Sequence, residues 1–549
     1  MSSSDLCLAL YVDDEKTLTP ETSKAASACS KSNQEIPIRE AEKSALQIDN
    51  RLGQYGQHGD HIGTSYDNKP EEIAIPVPNI HPKPSDIIDW DSPNDPNRPC
   101  NWPVVKRSLF TVTTSVLLFA VSFGSAVFLP ATEQLAGQLG TSSTVMHLTT
   151  SLWLIGFSFG PIIFAPQSPA HGHRGPLFFS MLGLCTFQIP TAIATNTQTL
   201  LISRFFAGVF GSGVLVVVPG MCAELYRPPV THSIVFVASG VSILIGATTA
   251  PIAGAYLYTQ GRTWGWLAWT TLVIGASVGV VGLVTLPESS SGILLRRKAT
   301  LLRVQTGNWA LHSKSEEVTL DTRALAYREY FTKPIQMFAA EPLLVFMTIY
   351  VALTCGTFYL ALQIIPRVFQ QRGWLPSTAS LPLIAVVLGV LTSGGLFTVF
   401  TMTWYRKRTL RREGLRRPED RLLPMLSGAV ILPASLLWFG WSMNTHSAAQ
   451  VMACYFAGAG LTLTLVSGPV YIADVYDSHR NSALAGHFVV CCLVTAAFPL
   501  WAGPLYASLG VQWASSVLAF VFLAMIPVLG FFVLYGARVR SRSRYTSTM

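Results

Sequence analysis

"LLISRFFAGVFGSG", residues 200–213, sets one arginine, Arg204, in a run otherwise made of apolar and small residues. Such a run is built to touch lipid or a neighbouring helix, and a charge at bilayer depth costs about 3 kcal/mol on the insertion scale. Arg204 therefore needs either a purpose in a watered cavity or a way for its long side chain to snorkel to the surface. What surrounds the stretch decides the fold.

Of the 549 residues, 50% are hydrophobic and only 12% charged, where a soluble domain carries about 25% charged residues. This is a membrane composition. The net charge of +8 hides a split: residues 1–100 hold 17 of the 30 acidic side chains and 9 of the 38 basic ones. That acidic, Ser/Pro-rich head has no apolar run, so it reads as a disordered cytosolic tail with no cleavable signal peptide. The nine cysteines show no disulfide or zinc spacing, and the Cys491-Cys492 pair reads as apolar packing.

Beyond residue 107 the chain breaks into apolar stretches near the roughly 20 residues that cross a bilayer as helix. They fall near 108–130, 146–166, 176–195, 198–220, 233–257 and 265–286, then 342–365, 378–402, 423–443, 450–473, 484–507 and 513–536. Twelve spans in two sets of six predict an all-α membrane protein of two pseudo-symmetric six-helix bundles. Basic residues crowd the even-numbered connections, above all "YRKRTLRREGLRRPEDR" after span 8, which puts both termini and the central loop in the cytosol. The domain reading is a tail with a pre-span motif over 1–100, bundles over 101–286 and 342–537, a central loop over 287–341, and a basic tail over 538–549. The Leu spacing and basic face of the central loop read as an amphipathic linker along the membrane surface.

Equal halves around a cytosolic loop are transporter architecture, with binding expected between them. An enzyme is not expected: the spans hold no H-x-x-x-H pair and no paired carboxylates. The "GFSFG" match around Ser158 lies in a span, not on a strand-to-helix elbow. No Walker A motif is present, so ATP is not the expected energy source, and no metal, cofactor or nucleic acid is called for.

Several ordered motifs carry a resemblance. "DWDSPNDPNRPCNWPVVKR" before span 1, "LPESSSGILLRRKATLLRVQTGN" after span 6 and "YIADVYDSHRNSALAGHFVVCCLVTAAFPLWAGPLYASLGVQWASSVLAF" near the end are similar to segments of the fungal twelve-span drug:proton antiporters. From about 88 to 545 the chain resembles this branch of the major facilitator superfamily. The resemblance implies that Arg204 and Gly208 begin its R-x-x-x-G-x-x-x-G pattern, with Ser212 at the second glycine, and that Arg204 serves proton transfer or the cavity's charge.

In span 5, "GATTAPIAGA" keeps Gly246, Pro251 and Gly254 of the family's antiporter motif, implying a kinked, close-packed gate. The loop "GPIIFAPQSPAHGHRGP" keeps Gly160, Pro161, Ser168, Gly172 and Arg174 of a charge-paired latch between the halves. Pro169 replaces the family's Glu there and His173 its Arg, so the latch is either weaker or histidine-based.

No carboxylate sits mid-span, so the candidates for proton coupling are Arg204, Glu224, Asp474 and His487; Asp474 reads equally as a solvated helix-end charge, and His487 reads more readily as a hydrogen-bonded packing residue. Spans 1, 4, 7 and 10 would line the cavity, with Phe123, Tyr350, Tyr359 and Tyr471 as apolar and stacking surface. The expected function is proton-coupled efflux of an amphipathic organic compound, a xenobiotic or a fungal secondary metabolite. Alternatives are a polyamine or other cationic-metabolite carrier and a non-transporting sensor. Expected partners are the small-molecule substrate, membrane lipid and protons. The expected state is a monomer, in the plasma membrane rather than a vacuolar or vesicular one.

Overall fold

The computed structural model describes residues 86–226, 228–260, 263–317, 328–411, 417–541 and 543–546; the acidic head read over residues 1–85 lies outside them. The described chain is helical apart from one two-residue parallel bridge, Ile87–Ile88 to His312–Ser313. That bridge and the Lys298–Asp91 ion pair (2.6 Å) hold the pre-span segment against the linker, so the part of it from residue 86 onward is folded.

The membrane-length helices are α1 Val104–Ala126, α2 Ser143–Ser158, α3 Arg174–Ile193, α4 Thr197–Leu225, α5 Pro229–Thr259 and α6 Gly265–Thr285. The second set is α7 Pro342–Gln371, α8 Leu383–Phe400, α9 Leu422–Trp441, α10 Ser447–Val475, and a last helix Arg480–Arg540. Among the described residues, eleven helices are long and apolar enough to cross a membrane. As one straight rod the last would be roughly 90 Å long, about three times a hydrocarbon core. Gly510 breaks it, at φ 72° and ψ 168°, into α11 (480–509) and α12 (511–540). Only a residue without Cβ holds that conformation cheaply, and it allows two spans with almost no loop. The twelve spans read from the sequence are therefore present.

Local chemistry starts these helices. Ser142 accepts from the Val145 N–H at 3.3 Å ahead of α2, and Asn196 from the Thr199 N–H at 2.7 Å ahead of α4. Pro103 precedes α1 and Pro342 opens α7, where a missing N–H costs nothing. Enclosure then sorts them: 78% of the apolar window is buried for α1 and 72% for α7 and α10, against 39% for α3 and 28% for α6. The outer helices show Leu182, Val284 and Leu534 to the lipid. Between the sets, α5 packs on α8, and α2 on the long last helix. The linker carries an amphipathic helix, Ser291–Thr306, closed by Gly307 in the left-handed region (φ 69°).

Candidate functional site

Arg204 lies two turns into α4 and is completely buried. Its guanidinium donates from Nε to Thr149 O (3.1 Å), from Nη1 to Gly124 O (2.8 Å) and from Nη2 to Ser125 O (3.2 Å). The rings of Trp153 and Phe128 cover it at 4.2 and 4.7 Å. Both sequence readings of its surroundings need correction: Arg204 neither snorkels nor stands in an open cavity. It ties α1, α2 and α4 together through carbonyl dipoles and aromatic faces. Small residues permit this. A Cβ on Gly156 would meet the Phe205 carbonyl oxygen at 2.5 Å, and one on Gly160 would meet Ser212 Cβ at 2.6 Å. The R-x-x-x-G-x-x-x-S stripe is thus the α2–α4 contact, where shape packing replaces a hydrophobic drive.

The span 5 motif has the same character. A Cβ on Gly246 would strike the Phe119 carbonyl, and one on Gly254 would sit 2.6 Å from Val127 O, so α5 is pressed on α1. Pro251 lies inside α5, with Ala247 and Ala250 buried beside it.

The two helix sets meet in two unlike seals. Toward the face that carries the basic loops, Val237, Phe397, Leu463 and Val466 form an apolar cluster from α5, α8 and α10. Toward the opposite face the seal is polar. Tyr359 Oη and Ser125 Oγ are 2.8 Å apart, Gln363 Nε2 and His147 Nε2 3.1 Å, and Arg367 Nη2 lies 3.2 Å from Glu133 and 3.5 Å from His147. Ser125 belongs to both systems, because its carbonyl accepts from Arg204 while its hydroxyl meets Tyr359.

Of the four aromatic cavity candidates, Tyr359 alone makes a hydrogen bond across the halves. Phe123 is buried and stacks on Phe119 of its own helix at 6.1 Å. Tyr350 and Tyr471 are corrected: both are buried inside their own set. Tyr350 meets Phe522 of α12 edge-on at 6.0 Å, and Tyr471 lies near the Arg540–Glu419 pair. An aromatic residue on a central helix has a back face, and helical spacing alone does not say which one it uses.

At the basic face the latch loop, among the described residues, pairs within its own set and not across the halves as the resemblance implied. Arg174 donates to Leu283 O (2.8 Å) at the end of α6, in its own set. His173 bonds Ser168 through Nδ1 and Glu224 through Nε2, the latter at 3.1 Å, and Glu224 accepts from the Ser291 N–H at 2.5 Å. Glu288, unnoticed in the sequence, is the hub: it accepts from the backbone N–H groups of His173 (3.0 Å), Arg174 (3.2 Å), Ser289 (3.0 Å) and Ser290 (2.9 Å). Its carboxylate caps the positive end of α3. Gly172, at φ 87°, leaves room for it, since a Cβ there would meet Glu288 Oε2 at 2.5 Å. What reaches the other set from this region is the turn Gly160–Ile163, with Gly160 and Pro161 buried, which touches the last helix and Arg328–Thr332.

The second set repeats the plan with other groups. Asp474 is not a free helix-end charge: Arg421 Nε lies 3.0 Å from its Oδ2, and the Arg421 guanidinium stacks 3.7 Å from the Tyr405 ring. His173 and Glu224 are 51 residues apart, Arg421 and Asp474 53, each pair joining the start of the third helix of a set to the end of its fourth. Arg540 grips Glu419 with two bonds (2.8 and 3.1 Å). Burial and the Glu341 carboxylate push the Tyr476 phenol well up, so it stays a donor to Glu341 at 3.2 Å. His487 is buried in the second set, with Nδ1 3.0 Å from Thr348 Oγ1 and Cys491 Sγ close by.

Arg204, Glu224, Asp474 and His487 thus occupy four separate places. Among the described residues, the polar groups that do converge between the sets are Ser125, Glu133, His147, Tyr359, Gln363 and Arg367, and of these the sequence points only to Tyr359. A signal existed: Tyr359, Gln363 and Arg367 recur every four residues, a polar stripe on an apolar helix.

Comparison with known proteins agrees with this build. The Major Facilitator Superfamily model matches residues 114–499. The chain is 38% identical over 464 residues to a citrinin biosynthesis cluster MFS transporter of Monascus ruber, covering 84% of this chain and 92% of that one. It is 33% identical over 476 residues to a multidrug transporter of Candida glabrata, covering 86% and 82%. The solved structure of the proton:xylose symporter XylE superposes with a TM-score of 0.59 at 14% identity, over 79% of this chain and 97% of that one, which speaks for the fold alone. With its twelve spans in two sets of six, this multi-pass membrane protein belongs to the major facilitator superfamily of small-molecule transporters.

Proposed function

We propose that the chain is an efflux carrier for an amphipathic organic compound, driven by exchange for protons. The Arg204–Ser125–Tyr359 chain carries this reading. It backs the hydroxyl and aromatic surface of the seam with a fixed positive charge that has no carboxylate partner. A seam of that kind suits neutral or anionic amphipaths and repels polycations. The names of relatives agree, one as a citrinin cluster transporter and one as a multidrug transporter. In this reading the basic face is cytosolic, the polar seal faces outward, and the protein works as a monomer in the plasma membrane.

Glu224, Asp474 and His487 remain candidates for the coupling proton, now joined by His147. The test is accumulation of labelled compounds in cells with and without the protein, then flux in proteoliposomes under an imposed pH gradient. Lower accumulation of aromatic acids or neutral aromatics, with polyamines unaffected, supports the reading. Polyamine export, or ligand binding without counterflow, overturns it.

A further inference from the structure

The outer seal contains a titratable side chain in an unusual position. His147 of α2 is buried at 4% exposure between the two helix sets. Its Nε2 faces two donors of α7, the Gln363 amide at 3.1 Å and Arg367 Nη2 at 3.5 Å, so in the sealed form it accepts and the ring is neutral. Its Nδ1 is buried without a hydrogen-bond partner, as is Gln363 Oε1. A cleft of about 570 Å³, lined by Glu133, Arg367, Tyr506 and Ser143 among others, opens from the outer face, and Ser143 lies one helical turn from His147. Water-borne protons therefore have a short way in.

We propose that His147 is a proton-binding site that unlatches the outer seal. A proton taken from cleft water onto Nε2 displaces the Gln363 N–H donation. The amide can turn and offer its unpartnered Oε1 to the new N–H, so that contact can be remade. The contact with Arg367 cannot, because two positive groups now stand 3.5 Å apart where the cleft meets the buried seam.

The other charged and titratable groups facing His147 do not cancel this. Glu133, at the end of the first span, is engaged with Arg367. Arg204 of α4, bonded to the Thr149 carbonyl on the same helix as His147, is itself a cation and supplies no counter-charge. Tyr506 of α11 is tied to Ser515 at 3.2 Å, and Tyr359 of α7 to Ser125. Parting the sets lets the imidazolium reach water and separates it from Arg367. The proton thus binds the opened outer face better than the sealed one, and by linkage acid opens that face. This goes beyond the exchange reading: the proton acts here on the seal, whichever group carries the coupling proton.

The test reads opening directly and needs no transport, so it stands apart from failure of the exchange reading. Spin labels on Gln138→Cys and Ser508→Cys, both exposed and on opposite sets, report the distance across the outer face of full-length protein in nanodiscs. The ratio of long to short distance should rise at least about fivefold from about pH 7.5 to about pH 5.5. His147→Gln, which keeps a neutral partner for Gln363, should flatten the response. Arg367→Gln, which removes the like charge, should blunt it. A flat wild-type response, or an unchanged one in His147→Gln, overturns the proposal. If either variant fails to fold, the other decides alone.

Discussion

Among the described residues, each half of the molecule buries one arginine, and the two are held by different chemistry. Arg421, at the start of α9, lies against the Asp474 carboxylate and the Tyr405 ring, so its charge is paired with an opposite one. Arg204, in α4, has three backbone carbonyls and two aromatic faces and, among the described residues, no carboxylate. Dipoles and ring faces solvate a cation without neutralising it. One site is a closed ion pair that fastens a helix end. The other leaves a positive charge inside the membrane, one residue behind the seam between the halves. A charge kept there unneutralised acts on its neighbours through its field.

In order of cost to stability, the first way to break this contrast is Arg421→Leu. It strands Asp474 at a partly buried helix end and should cost about 3 kcal/mol, read as a lower melting temperature of the purified protein. Adding Asp474→Leu should recover much of the loss. Unchanged melting in Arg421→Leu would show that the pair fastens nothing.

Next is Arg204→Leu, which should cost only about 1–2 kcal/mol through lost carbonyl bonds, since no opposite charge is stranded. Its effect falls on transport: pH-driven flux in proteoliposomes should vanish at equal protein. Arg204→Lys keeps the charge without the planar fork and should restore part of the flux. Full activity in Arg204→Leu would reduce the residue to packing.

Gly172→Ala comes third, at about 1–2 kcal/mol for a Cβ forced into the left-handed region and against Glu288. The loop 164–173 should become easier for protease to cut; an uncut, equally stable variant would contradict the Glu288 cap. The smallest effect is expected from His173→Arg, which makes the first set's pair like the second's. Partial exposure of Glu224 limits the gain to about 0.5–1 kcal/mol. A loss of stability would mean that the imidazole's bond to Ser168 matters more than charge.

The spans and their number were legible because each is a run of apolar residues of bilayer length, and even the α11–α12 junction was visible as an interval near Gly510. Arg204 was legible as an anomaly, but its partners were not. They are carbonyl groups of residues 124, 125 and 149, and a carbonyl leaves no mark on residue type. Glu288 was hidden for a related reason: its partners are backbone N–H groups, 115 residues away in the case of His173. The turn of Tyr350 and Tyr471 into their own set depends on helix rotation, and an all-apolar surround gives no amphipathic cue to it. His147 escaped notice although a histidine within a span is an intramembrane titratable group.

The Glu288 cap also has a meaning in time. The N-terminus of α3 receives its carboxylate only after the ribosome has added the 115 residues that separate Glu288 from His173. At about 5–20 residues per second that is a wait of roughly 6–23 s, during which α4, α5 and α6 are made. The first half of the transporter therefore cannot finish its edge at the basic face from its own six helices. The opening residues of the linker complete it, and birth order makes the start of the connection between the halves the last part of the first one.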